Sequence, residues 1–387
     1  MRSLIVLLFC ALAFNGAFAQ EDELNVGSLE VDFENILSDL SNYYIYLEDK
    51  GIDLDCIRQA YQERASQATN LVDQILFFEY LLDEFYDSHL ILNTNTNSSY
   101  RLWAPIYAGL KDGKPIITNI WQSQIANLNQ NILGAEIIAI NDLSIDDAIE
   151  AFPTQCQDKG KPEIREWIIN KLLAGRYDQD RILRLKLPHQ EVVSFDLDEL
   201  QIIPQTSLLS IEVTDNIGII RIHNSLGNND LIAAFDEALS QLTETDGLII
   251  DLRNTVDGGN SYVARGIMSR FITKEKPYQK HWTKEQYDQG PALERSWIEY
   301  VSPRGNKYQK PVIVLVGRWT GSMGEGLAIG FEGMERGQIV GTEMRRLAGE
   351  VFDYGFKNQW YGYKLSTRKL FHLNGTIREA YIPTHYV

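Results

Sequence analysis

The stretch Val312-Ile313-Val314-Leu315-Val316-Gly317-Arg318-Trp319-Thr320-Gly321-Ser322-Met323-Gly324-Glu325 decides the reading of this chain. Five consecutive apolar residues, three of them valine, describe a strand buried on both faces. Glycines then mark a tight turn, and Gly324 to Phe331 carries a helical pattern. The junction holds a serine. A hydroxyl there sits above the end of a sheet, beside the unpaired N–H groups of a helix N-terminus, which can stabilise an oxyanion. The same position is the common N-cap of a helix. From this stretch alone Ser322 reads equally as a cap or as a nucleophile.

A second junction of the same kind lies upstream. Gly247 to Leu252 is an apolar strand, and it runs through Arg253-Asn254-Thr255-Val256-Asp257 into Gly258-Gly259 and then a helix. Its amides could supply the other half of an oxyanion hole. Around these two junctions, Ile217 to Ile222 reads as a strand, Asn228 to Leu242 as a helix, and Ile339-Val340-Gly341 as a further short strand. Strands alternating with helices predict an α/β region with a largely parallel sheet.

Further upstream the pattern changes twice. Ile106 to Leu110, Pro115 to Ile120 and Glu136 to Ile140 are strand-like, with Lys111-Asp112-Gly113 as a turn signal. Helical patterns follow over Ile145 to Phe152 and Glu163 to Leu173, then a strand from Ile182 to Leu187. The stretch Gly134-Ala135-Glu136-Ile137-Ile138-Ala139-Ile140-Asn141-Asp142-Leu143-Ser144 resembles the strand–turn–strand at the heart of PDZ-like domains. Between Ser28 and Asp87 the apolar residues recur at helical spacing, as in Leu37, Leu40, Tyr44, Leu47 and in Leu71, Ile75, Phe78, Leu82.

The chain is 387 residues long with a net charge of −17. That length allows two or three domains. The acidity argues against nucleic acid and anionic membranes as partners. At the start, Arg2, the apolar run Leu4 to Phe14 and Ala17-Phe18-Ala19 describe a secretory signal peptide cleaved near Ala19. The run is too short for a spanning helix. Cys10 follows Leu7-Leu8-Phe9, which lacks the small residue expected before a lipidated cysteine, so a product without a membrane anchor is expected, exported to a periplasm or secreted. Cys56 and Cys156 fit either a disulfide, which that compartment permits, or two buried free thiols. No Cys/His spacing resembles a zinc site, no phosphate-binding glycine loop of Walker type occurs, and no cofactor or metal is implied.

At these residues the chain resembles the C-terminal-processing, or tail-specific, serine peptidase family. Asp251-Leu252-Arg253-Asn254 with Gly258-Gly259 is similar to that family's DLRxN…GG segment. Thr320-Gly321-Ser322-Met323-Gly324-Glu325 is similar to its S-x-x-E nucleophile segment, and Val340-Gly341-Thr342 to its VGE/VGT strand end. The resemblance covers the chain from about Thr206 onward. It implies a crotonase-like, Clp-protease-like α/β core, preceded by a PDZ-like domain. With the helical N-terminal region, this gives a signal peptide at 1–19, a helical region at 20–92, a PDZ-like domain at 93–205 and a peptidase core at 206–387.

One departure redirects the chemistry. Many members use a lysine base shortly after the VGE strand. Here that stretch reads Gly341-Thr342-Glu343-Met344-Arg345-Arg346-Leu347-Ala348-Gly349, with Leu347 near the lysine position. Arg345 and Arg346 cannot substitute, because a guanidinium stays protonated. A second branch, similar to the tricorn core protease, uses an upstream Ser–His pair and a late glutamate instead. Ser88-His89 and Glu379, in Gly375-Thr376-Ile377-Arg378-Glu379-Ala380, match those parts, although Ala380 stands where proline is usual.

The resemblance therefore implies peptide-bond hydrolysis through an acyl-enzyme on Ser322. His89 would be the general base, with Ser88 and Glu379 orienting the ring. The amides of Met323 and of Gly258 or Gly259 would form the oxyanion hole. The partner is a polypeptide substrate, which the PDZ-like domain would present or gate by adding it as a strand. The alternative is a non-catalytic apolar-ligand or peptide-binding protein on the same scaffold, as in the retinoid-carrying relatives of the eye. Ser366-Thr367-Arg368-Lys369 also satisfies S-x-x-K, but it lies in a strand-like stretch rather than at a helix start.

Overall fold

The computed structural model describes residues 26–286 and 288–387; the signal-peptide segment and Cys10 lie outside them. Three helices come first: α1 (Val26–Tyr43), α2 (Leu54–Gln67) and α3 (Leu71–Asp83). Asp53 caps α2 by accepting from the N–H groups of Asp55 and Cys56, and Asn70 caps α3 by accepting from that of Asp73. Of the periodic residues, Leu37, Leu40, Tyr44, Ile75, Phe78 and Leu82 are buried as their spacing predicts, while Leu47 is half-buried and Leu71, at the start of α3, is exposed.

After the short β1 (Ile91–Leu92) the chain forms β2 (Ile106–Lys111), β3 (Lys114–Ile120), β4 (Glu136–Ile140), β5 (Leu143–Ser144), α4 (Ile145–Glu150), α5 (Pro162–Ala174), β6 (Ile182–Lys186) and β7 (Val192–Asp196). These strands make an antiparallel sheet in the order β2-β3-β4-β6-β7, with β5 on β4. Asp112 and Gly113 both have positive φ, 51° and 77°. Such a pair closes the β2–β3 hairpin with a two-residue turn of matching twist.

The remainder contains β8 (Leu209–Thr214), β9 (Ile217–Ile222), α6 (Leu231–Gln241), β10 (Gly247–Asp251), α7 (Ser261–Met268), β11 (Lys276–Glu285), β12 (Leu293–Val301), β13 (Val312–Val316), α8 (Met323–Gly333), β14 (Gln338–Gly341), β15 (Glu350–Gly355), β16 (Gly362–Phe371) and β17 (His385–Tyr386). Six strands form a sheet in the order β17-β14-β13-β10-β9-β8, parallel except for β8. Its central strands bury Ile220, Ile250, Val314 and Ile339 completely. The expected α/β architecture with a helical N-terminal region is the one observed.

A further sheet, β1-β16-β11-β12 with β15 on β16, is antiparallel and was not anticipated. It matters for the site, because the helices at the start of the chain have no separate core. Phe33, Phe77, Phe78 and Phe85 share one apolar cluster with Phe356, Tyr361, Tyr363 and Leu365 around the β15–β16 hairpin. The fully buried Asp32 completes the join by accepting from the N–H groups of Lys357 and Asn358.

The middle sheet is fastened on both sides. A disulfide joins Cys56 of α2 to Cys156 in the loop after α4, with Cα atoms 5.8 Å apart. It resolves the choice between a bridge and two free thiols. A buried ion pair of 2.9 Å joins Asp83 to Lys171 of α5. Toward the parallel sheet, Trp121 stacks on Trp319, with centroids 5.3 Å apart and planes 1° from parallel. Trp121 donates to the carbonyl of Arg253, and Trp319 to that of Ala104. Both indoles thus bury their rings and still satisfy their N–H groups.

Candidate active site

Strand β13 delivers Ser322 to the start of α8 through a turn that is tied down at each step. Thr320 Oγ1 accepts from the Gly317 N–H and donates to the carbonyl of Leu252, at the end of the neighbouring β10. Gly321 N–H donates to the Thr255 carbonyl at 3.2 Å, which joins the two glycine-bearing junctions. A Cβ on Gly258 would lie 2.4 Å from Ser322 Cβ, and one on Gly324 would lie 2.4 Å from Thr255 Oγ1. No side chain fits at either position, so the two turns interlock only with glycine there.

Ser322 itself has φ 49° and ψ −110°. That is a strained backbone for a residue with a side chain. Glu325, fully buried, holds it by accepting from the Ser322 N–H at 2.8 Å. The same carboxylate accepts from the N–H groups of Arg346 at 2.7 Å and Leu347 at 3.3 Å. Burial pushes the Glu325 pKa up to about 7, against the pull of Arg378 and of these N–H groups.

His89 follows α3. Asp87 fixes its backbone, Oδ1 accepting from the His89 N–H at 2.9 Å while Oδ2 accepts from the Tyr44 hydroxyl at 2.7 Å. The ring bridges two parts of the site. Nδ1 lies 2.8 Å from the Ala348 carbonyl, and Nε2 lies 3.2 Å from Ser322 Oγ. A carbonyl can only accept, so Nδ1 carries the proton and the Nε2 lone pair faces the serine hydroxyl. Burial, with the nearby Arg378, pushes the His89 pKa down to about 4, while the Ala348 bond and Asp87 act the other way.

The loop that offers the Ala348 carbonyl is braced from three directions. Arg378 donates to the carbonyls of Leu347 and Gly349, Ser366 donates to Ala348 O at 2.8 Å, and Glu325 holds the amides before it. Ser366, the serine of the S-x-x-K pattern, is thus a buried buttress on β16, and Lys369 of that pattern pairs with Asp49. Leu347, near the position where the resemblance places a lysine, is buried.

The other expected residues are placed as follows. Ser88 is exposed, and its Oγ accepts from the Trp167 indole of α5 at 3.1 Å. Glu379 lies beside the Tyr46 phenol, and burial raises its pKa against the effects of Tyr46 and Arg378. Neither of its oxygens has a hydrogen-bond partner among the described residues, and the Nδ1 position of His89 is held by Ala348. Gly258 N–H donates to the Thr255 carbonyl at 3.0 Å, whereas Met323 and Gly259 N–H make no hydrogen bond among the described residues.

Sequence reasoning missed Asp87, the Ala348 carbonyl and the bracing role of Arg378. Glu325 does carry a sequence signal, since a serine followed three residues later by glutamate at a helix start is a known capping signature.

Next to the dyad opens a cavity of about 740 Å³, bounded by Tyr46 and Asp87, by Tyr107 and Trp167, and by Arg345 and Glu379. Arg345 spans it, donating to the carbonyls of Val256 in the core turn and Leu102 ahead of β2. Among the described residues no group of three or more His, Cys, Asp or Glu is placed to hold a metal ion, and no helix is long and apolar enough to cross a membrane.

Comparison with solved structures gives the same fold. Mature CPAF complexed with lactacystin is 14% identical, with 93% of each chain covered and a TM-score of 0.60. Mature CPAF in a second structure is 13% identical, covering 93% of this chain and 92% of its own, at a TM-score of 0.61. The photosystem II D1 C-terminal processing protease is 15% identical, with 93% of each chain covered and a TM-score of 0.57. No curated protein sequence matches the chain. The sequence from 216 to 378, which holds both glycine-bearing junctions and Ser322, matches the model of peptidase family S41. Residues 216–378 are therefore similar to peptidase family S41, and the chain has the fold of these solved processing proteases.

Proposed function

We propose that the chain is a serine endopeptidase in which Ser322 is the nucleophile and His89 the general base. The observation that carries this reading is the 3.2 Å approach of His89 Nε2 to Ser322 Oγ, with the ring's other nitrogen pinned to a carbonyl. Nε2 takes the hydroxyl proton as Oγ attacks the peptide carbonyl, and returns it to the departing amine to leave an acyl-enzyme. Water then repeats the sequence in reverse. The oxyanion is received by the N–H groups of Met323 and Gly259, because that of Gly258 is engaged with Thr255. Asp87 is the carboxylate that favours the imidazolium, while Glu379 and Ser88 line the cleft, Ser88 bonded to Trp167.

Residues 93–205, read as a PDZ-like domain, form the far wall of that cleft, between a helical region at 20–92 and a core at 206–387. The Cys56–Cys156 disulfide supports maturation in an oxidising compartment, in keeping with export of the chain.

Labelling with a fluorophosphonate probe tests the assignment. The wild-type protein is expected to label at Ser322, and the Ser322→Ala and His89→Ala variants to stay dark. A folded wild-type protein that does not label moves the non-catalytic binding reading ahead.

A further inference from the structure

Strand β2 lies at one edge of the middle sheet, with β3 as its sheet neighbour and α5 along its other side. In an antiparallel sheet, a residue whose N–H and C=O both point outward offers a donor–acceptor pair to an added strand. Ala108 is such a residue, and both its groups are already taken by one side chain. Its N–H donates to Asn170 Oδ1 at 3.0 Å, and its carbonyl accepts from Asn170 Nδ2 at 2.8 Å.

The primary amide of Asn170 thus presents to β2 the same acceptor and donor as one residue of a neighbouring strand. One turn earlier on α5, Glu166 Oε2 receives the N–H of Leu110, the next outward residue, at 3.4 Å. Its Oε1 accepts from the Tyr107 hydroxyl at 2.6 Å. Asparagine is a poor helix former in mid-helix, so its place in α5 is explained by this pairing and not by propensity. Ile106, Tyr107, Glu166 and Asn170 all line the cavity that leads to Arg345 and Ala348 beside the dyad.

We propose that Asn170 and Glu166 are a built-in competitor for the β2 edge: an extended polypeptide pairs with Ala108 and Leu110 only by displacing them. The inference rests on the reading of the cleft as a polypeptide site. The expected strand addition is closed in this structure, and the groove selects for chains that can supply a continuous run of main-chain partners in exchange. The disulfide and the Asp83–Lys171 pair keep α5 near at hand, so the competitor acts at high effective concentration.

The test measures binding of fluorescein-labelled β-casein, an unfolded polypeptide, by anisotropy. Every protein carries Ser322→Ala, so that cleavage does not intervene. Asn170→Leu preserves bulk but removes the amide, and should tighten binding roughly thirtyfold, the equivalent of two net hydrogen bonds no longer in competition. Asn170→Asp keeps the acceptor and loses the donor, and should fall between. It also decides the matter if the leucine variant does not fold. Equal or weaker binding by the folded variants overturns the proposal, as does failure of all three proteins to bind casein. Because the comparison needs no catalysis, an absence of fluorophosphonate labelling would sink the hydrolase reading and leave this measurement standing.

Discussion

The burial of His89 makes a quantitative statement about pH. An exposed imidazole titrates near 6.5, and in this site burial and Arg378 push it down to about 4. The second-order rate constant of a fluorophosphonate with the free protein follows the fraction of neutral His89. With a pKa of about 4, about 97% of the ring is neutral at pH 5.5, so labelling at pH 5.5 should nearly equal that at pH 7.5. With an ordinary histidine only about 9% would be neutral at pH 5.5, and the rate would drop roughly tenfold.

The same shift acts on stability. The unfolded chain takes up the His89 proton near 6.5 and the folded one only near 4, so the contribution is complete above 6.5. It is lost as the pH falls from 6.5 to 4, and amounts to about 3 kcal/mol. Circular dichroism should accompany the kinetics to establish that the protein remains folded at pH 5.5. A tenfold fall in labelling between pH 7.5 and 5.5, with the fold intact, would refute the assignment of a buried, neutral ring.

Two further outcomes follow from the interlocked turns and from the cross-link. Gly258→Ala places a Cβ 2.4 Å from that of Ser322 at a φ of 69°. It should abolish labelling while the urea midpoint falls only modestly; retention of the wild-type labelling rate would mean that the two turns are not held as described. Replacing both Cys56 and Cys156 by serine opens a loop of 100 residues and should lower the unfolding free energy by about 4–5 kcal/mol, measured by urea denaturation; an unchanged midpoint would show that the bridge does not constrain the unfolded chain.

The parts of the fold legible in the sequence are those where one physical signal dominates. The all-apolar run of β13 has no other reading than a buried strand. The Asp112–Gly113 turn announces its hairpin, and α3 announces itself by Ile75, Phe78 and Leu82. The antiparallel sheet of β11, β12, β15 and β16 was not legible. Leu293–Val301 is mostly exposed, Lys276–Glu285 buries only Tyr278, Gln279 and His281, and charged residues are spread through both, so the alternation that marks a strand is blurred. Nor does local sequence say that Phe78 and Phe356 meet, since that contact belongs to the assembled chain.

The site divides in the same way. The strand–turn–helix junction marks Ser322 as cap or nucleophile, and the resemblance alone marks His89; the two lie in contact. The acceptor that sets the ring's tautomer is a main-chain carbonyl, at Ala348, and a carbonyl has no residue-type signature. Ser88 and Glu379 were carried over from a resemblance, and the structure places one against Trp167 and the other beside Tyr46.

The shared core of the first helices and the β15–β16 hairpin has a consequence in time. A ribosome releases the chain from its beginning, so His89 emerges long before Ser322, and both emerge before Ala348, Ser366 and Arg378, which orient and brace the ring. The carbonyl that orients the ring is braced by Ser366 and Arg378, and α1 to α3 lack a closed core until Tyr361, Tyr363 and Leu365 arrive. No growing chain that ends short of Arg378 contains all the parts of the dyad's mounting. Competence is therefore a late event in the life of the molecule, reached only when the chain through Arg378 is available to fold as one piece.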